Sequence, residues 1–128
     1  GTRFAGLFVK DNQSLSHQLE VIGTKSGDFV WPLPLTEDNE KDVEGNFADV
    51  INTSKTNSRY GGASTAAAFL SHYAKGANFA HLDMASRMTA NPDEELSRGA
   101  LGFGVRYFVE LAMQWSEVKK LLKDNIKV

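Results

Sequence analysis

A run of small residues constrains this chain more than any other feature. Gly61-Gly62-Ala63-Ser64-Thr65-Ala66-Ala67-Ala68-Phe69-Leu70 reads as a glycine turn feeding a helix whose first turns are nearly bare of side chains. A helix without bulk buries surface only by lying very close to its partner. The run predicts a helix from about Ser64 to Lys75, capped by Ser64 or Thr65, with Ala66, Phe69, Leu70 and Tyr73 on its apolar face. Gly76 closes it. Phe79-Ala80-His81-Leu82-Asp83-Met84-Ala85 then reads as a buried strand carrying two polar side chains.

The other elements follow from spacing. Phe4 to Val9 is a short apolar run with no helical period, hence a strand. Asp11 is placed to cap the next helix, in which Leu15, Leu19 and Ile22 share a face, and Gly27 suits its left-handed end. Phe29-Val30-Trp31-Pro32-Leu33-Pro34-Leu35 is extended and stiff, and its alternate prolines exclude it from the centre of a sheet. Residues 36–46 are an acidic stretch whose carboxylates have no period that would gather them around one point, so a solvated helix or loop is expected. Residues 48–52 look ordered, and 53–58 and 88–98 read as polar loops. The last long helix begins near Gly102 and runs through Trp115, with Leu101, Val105, Phe108, Ala112 and Trp115 on one face and Val109 widening it. A final amphipathic segment starts at Ser116 and carries Val118, Leu121 and Leu122.

Strands alternating with helices predict an α/β class, with helices packed on a mixed sheet. Only two strands stand out, which is too few for helices with this much apolar surface. A start directly in a strand points the same way, toward part of a larger domain. The chain has no cysteine, which excludes disulfides and thiolate metal sites and suits a cytoplasmic protein. A net charge of -2 with scattered basic residues argues against nucleic acid or an anionic membrane as partner.

The candidate chemistry is sparse. His81 and Asp83 flank Leu82 on a strand and so point to one face, as a metal pair or as a base with its orienting acid. A metal needs three or four converging ligands, and the other histidines, His17 and His72, lie on separate helices. A structural polar pair bonded to nearby backbone is the expectation for His81 and Asp83. No nucleophile elbow, Walker lysine or dinucleotide fingerprint is present.

An ordered series of short motifs resembles the leucyl (cytosol) aminopeptidases of peptidase family M17. Gly27-Asp28 and then Trp31-Pro32-Leu33-Pro34-Leu35 resemble the family's Gly-Asp and Trp-x-x-Pro-Leu, and Ala48-Asp49-Val50 with Asn52 resembles its Ala-Asp-x-x-Asn. Gly62-Ala63 with Thr65 to Leu70, Ala80-His81-Leu82-Asp83 with Ala85, and Gly99-Ala100 with Gly102 and Val105-Arg106 continue the series in order. Two positions depart: Ser86 stands where glycine is usual, and Leu101 where a small polar residue is usual.

The resemblance implies that residues 1–128 are the C-terminal portion of the family's catalytic domain, a phosphorylase/hydrolase-like three-layer sandwich, with 116–128 as a terminal helical extension. It implies a two-metal hydrolase, using zinc or manganese, that releases N-terminal residues from peptides in the cytoplasm as a homo-hexamer. The family's metal ligands and catalytic arginine match no residue here, so no catalytic and no metal residue is assigned. The segment is expected to bind no metal and to be inactive alone. Ala85 and Met88 match residues that line the family's pocket for the substrate's first side chain. The remaining partners would be peptide substrates and the upstream part of the same enzyme. The alternative is a non-catalytic binding or assembly module, or a decayed paralogue. A small independent enzyme using His81 and Asp83 comes third.

Overall fold

The computed structural model describes residues 2–56, 60–94 and 99–122. Strand β1 (Ala5–Val9) leads into helix α1 (Gln13–Ser26), which returns the chain to strand β2 (Val30–Pro32), parallel to β1. Helices α2 (Glu37–Asp42) and α3 (Gly62–His72) precede strand β3 (Ala80–Asp83), which pairs antiparallel with the other side of β1. Helices α4 (Val105–Met113) and α5 (Trp115–Lys120) follow. The sheet order is β2-β1-β3, a mixed three-stranded sheet where two strands stood out in the sequence.

Pleating sorts β1 into two faces. Ala5 and Leu7 are buried with Leu15, Leu19 and Ile22 of α1, the face expected from their spacing. Val30, Tyr107 and Val118 complete that core, and Val9 and Leu82 pack against it. Burying each large aliphatic contributes about 1.5–3 kcal/mol. On the opposite face lie Gly6 and the fully buried Phe8, over which α3 packs, with α2 against α3 in turn. Helices thus cover both faces of the sheet.

Several local expectations are corrected. Asn12 caps α1 through a 3.0 Å bond from the Leu15 amide, because Asp11 has φ 52 and turns the chain just before it. Gly27 ends α1 at φ 75, as its freedom from a Cβ allows. Helix α3 starts earlier and ends sooner than predicted, with Gly61 at its N-cap. Its buried residues are Ala67, Ala68 and Ser71, whereas Leu70 and Tyr73 are exposed. The small residues face the sheet because they let the helix approach it. The predicted terminal helix breaks at Gln114 into α4 and α5. It turns Tyr107, Leu111 and Val118 inward, and Val105, Phe108, Val109 and Trp115 outward. Strand β3 is a half-exposed edge rather than a buried strand. Residues 48–52 form bends joined to Glu44 by a single bridge at Val50. The expected loops and terminal segment run partly through 57–58, 95–98 and 123–128, outside the described residues.

The two sheet edges differ chemically. Phe29 accepts from the Ala5 amide at 3.0 Å, and the Leu33 amide donates to Leu7 at 2.8 Å. Odd-numbered positions of the β2 segment therefore face β1, and Pro32 and Pro34 occupy outward positions. Neither has an N–H to offer, so that edge is blunted. On β3, His81 and Asp83 pair with Phe8 and Gly6, which leaves the backbone groups of Ala80 and Leu82 pointing outward with no proline or lysine to guard them.

Asp28 joins distant parts of the chain. Its carboxylate is 1% exposed and sits at the N-terminus of α4. Oδ2 accepts from the amides of Gly104 (3.1 Å) and Tyr107 (3.2 Å), and Oδ1 accepts from the Arg106 guanidinium at 2.6 Å. The carboxylate is an N-cap supplied from outside its helix, where the helix dipole favours an anion. The Tyr107 hydroxyl donates to the Leu19 carbonyl at 2.9 Å, locking α4 onto α1, and burial pushes its pKa far upward so that it stays a donor.

Candidate functional site

An open cavity of about 590 Å³ lies where β3 ends and β1 begins. Phe4, Trp31 and Leu33 form an apolar wall, with Ala63 from the first turn of α3 facing it and Asp83, Ala85 and Ser86 along the rim. Gly6 keeps the floor low: a Cβ there would meet Phe8 at 3.2 Å and Leu33 at 3.3 Å. The rings of Phe4 and Trp31 meet edge-on with centroids 5.7 Å apart. An apolar pocket with few polar groups suits an apolar side chain.

The rim is built by hydrogen bonds. Asp83 Oδ1 accepts from the Ala85 amide at 3.0 Å, which turns the chain into a 3₁₀ turn over Ala85–Arg87. The Ser86 hydroxyl donates to the Phe4 carbonyl at 2.5 Å. Ala85 therefore lines the cavity, while Met88, 65% exposed, lies outside its lining. Sequence reasoning missed Phe4, Gly6 and Ala63, because nothing local marks residues that meet only through the sheet.

His81 shares a face with Asp83 but does not line the cavity. Its ring packs near Phe8, centroids 6.0 Å apart, and Nε2 is buried with no partner among the described residues. Burial holds its pKa below the ordinary value of 6.5, and the Asp83 charge only partly opposes this. The folded state thus disfavours the imidazolium, and its contribution to stability is full above about pH 6.5 and declines as pH falls toward the lowered value. We expect His81→Gln to flatten that part of the pH dependence. The check is the urea midpoint of both proteins between about pH 7.5 and 5.5; equal slopes would contradict the assignment.

His17 is exposed beside Glu20, and His72 lies across the molecule in a polar cleft of about 220 Å³ with Lys10, Glu40, Glu44, Asp49 and Lys75. Lys10 is ion-paired with Glu40 there. Among the described residues no three histidine, aspartate or glutamate side chains converge as metal ligands, so these residues do not by themselves fit a metal ion. No helix among them is long and apolar enough to cross a membrane.

Comparison with known proteins decides the family. The sequence matches "Cytosol aminopeptidase family, catalytic domain" over residues 1–109. The chain belongs to the cytosol aminopeptidase family. Relatives named "Probable cytosol aminopeptidase" include one from Rhodopseudomonas palustris strain TIE-1, 39% identical over 121 residues. Others come from Nitrobacter hamburgensis, 36% identical over 121 residues, and Methylorubrum populi, 39% identical over 118 residues. These alignments cover 94%, 94% and 91% of this chain, and 23% of each relative. The chain thus spans about a quarter of the length of the relatives it matches. Its three-stranded mixed sheet with helices on both faces is consistent with an α/β fragment of the family's catalytic domain.

Proposed function

We propose that this chain is the C-terminal portion of the catalytic domain of a two-metal leucyl aminopeptidase. The observation that carries the reading is Ala85 on the rim of an apolar cavity at the end of β3, within a chain of this family. The segment supplies one wall of the pocket for the substrate's first side chain. Phe4, Trp31 and Leu33 give that wall its apolar character, and Met88 is the flanking residue of the same loop. The zinc or manganese ions are held by residues outside this chain. The complete enzyme releases N-terminal residues from cytoplasmic peptides as a homo-hexamer. The exposed outer face of α4, with Val105, Phe108, Val109 and Met113, serves assembly.

The isolated chain is therefore expected to be inactive. It should show no turnover of leucyl-p-nitroanilide with manganese or zinc, and a rate of about 1 per second or more would overturn the reading. The apolar outer face of α4 also favours a second reading, a non-catalytic assembly module. A polypeptide of the relatives' length carrying this sequence separates the two: it hydrolyses the substrate under the first reading and not under the second.

A further inference from the structure

We propose that Arg87 is a positioning residue that clamps the pocket-wall loop against the start of β1 and so sets the gap between the two walls of the cavity. The proposal rests on the aminopeptidase reading for the role of the cavity, but the clamp itself stands on geometry.

The loop after β3 has almost no core of its own. Among its described residues, 84–94, Arg87 alone is buried, while Met84, Ala85, Ser86 and Met88 are exposed. A loop without buried apolar side chains is held by whatever polar contacts it makes. Here those contacts converge on one short segment. Arg87 donates to the Thr2 carbonyl at 2.9 Å and to both Glu94 carboxylate oxygens at 3.0 and 3.3 Å. Glu94 also accepts from the Asn91 amide at 2.8 Å, which with the Arg87 guanidinium holds its carboxyl below the usual glutamate range. Asn91 reaches the same Thr2 carbonyl at 3.3 Å, and Arg3 pairs with Asp93. The guanidinium thus ties the 3₁₀ turn to Glu94 further along the loop and to Thr2, three residues before β1.

The cavity lies along this seam. Phe4 and Ala5 lie at the clamped entry to β1, and Ala85 and Ser86 in the clamped loop. A buried ion pair contributes little net stability, but it can select one arrangement among several. All three of these bonds leave from Nη1, and Nε is buried with no partner among the described residues, so a lysine ammonium on its shorter stem reaches only part of the set.

The test uses a polypeptide of the relatives' length carrying this sequence. Arg87→Met is expected to raise KM for leucyl peptides about tenfold with kcat within about twofold, because the pocket wall loosens while the chemistry lies elsewhere. Arg87→Lys should recover part of the loss, to about a threefold increase. An unchanged KM, or a kcat that falls at constant KM, overturns the proposal. A second measurement, on the 128-residue chain, is independent of activity. Amide exchange over Ser86 to Asn91 should be at least about tenfold faster in Arg87→Met, with β1 unchanged. Equal exchange overturns the clamp. If Arg87→Met does not fold, Glu94→Gln replaces it, with the same directions and smaller effects. A polypeptide without peptidase activity would overturn the aminopeptidase reading and the KM effect with it, and the exchange result would then decide the clamp alone.

Discussion

Asp28→Ala is expected to destabilise the fold by about 3 kcal/mol. The carboxylate is fully buried and all its bonds go to one place: the amides of Gly104 and Tyr107 and the guanidinium of Arg106. Truncation strips the first turn of α4 of its acceptor and strands two buried N–H donors. Loss of a cap alone costs about 1 kcal/mol, and hydrogen bonds to a charged acceptor add about 1.5–3 kcal/mol. Arg106 is 46% exposed, so it rehydrates and does not add the penalty of a buried orphan charge. Against a typical domain stability of about 5–15 kcal/mol the loss is large. Asp28→Asn keeps one oxygen for the two amides and gives up the ion pair, so it should cost about 1 kcal/mol. Urea unfolding followed by tryptophan fluorescence measures both. A loss below about 1 kcal/mol for the alanine variant would show that the trans-cap contributes little.

A free β3 edge gives the second large effect. Ala80 and Leu82 point their backbone groups outward, while the outward positions of the opposite edge are Pro32 and Pro34. One edge is closed by chemistry and the other is open, so a sheet that grows does so beyond β3. In the 128-residue chain the Ala80 and Leu82 amides should exchange quickly. In a polypeptide of the relatives' length they should be protected by about a thousandfold or more, as expected for strands inside a packed sheet. Proline at position 80 sharpens the comparison. Ala80→Pro removes an N–H that has no partner among the described residues, so in the short chain it should cost about 1 kcal/mol or less. In the long polypeptide it should cost about 3 kcal/mol or more, because it deletes a ladder bond. Similar small costs in both would mean that this edge stays open.

How much of this was legible in the sequence depends on how local each cause is. Leu15, Leu19 and Ile22 declared their face through a spacing of 4 and 3, and the structure buries all three. Gly27 declared a left-handed turn, which it makes. The alternate prolines at 32 and 34 barred that segment from the centre of a sheet, and the structure makes it the third strand, β2, at one end of the described sheet. In each case the deciding physics lies within one or two turns of chain. The candidate site was less legible. Ala85 was found through family resemblance, but Phe4, Gly6 and Ala63 come from three separate stretches and meet only when the sheet brings them together. Asp28 was noticed as half of a Gly-Asp pair ending a helix, with no sign that it would cap another helix 76 residues later.

The helices show where the division falls. Small residues in α3 announced a close approach, yet the sequence pointed Leu70 and Tyr73 inward and the structure points Ala67, Ala68 and Ser71 inward instead. Periodicity placed Val105, Phe108, Ala112 and Trp115 on the packed face of the last helix, with Val109 widening it, and the structure turns Tyr107 and Leu111 inward instead. The Tyr107 hydroxyl settled the choice, since once buried it needed an acceptor, and the Leu19 carbonyl supplied it. The sequence by itself determined the alternation of strands and helices and the left-handed stop at Gly27, because these rest on steric limits and periodicities that act over a few residues, and its ordered motifs carried the family resemblance. The tertiary structure alone decided the phase of α3 and α4, the trans-cap at Asp28 and the clamp at Arg87. Each of those is a buried polar group or an apolar face whose energy depends on a partner that sequence distance hides.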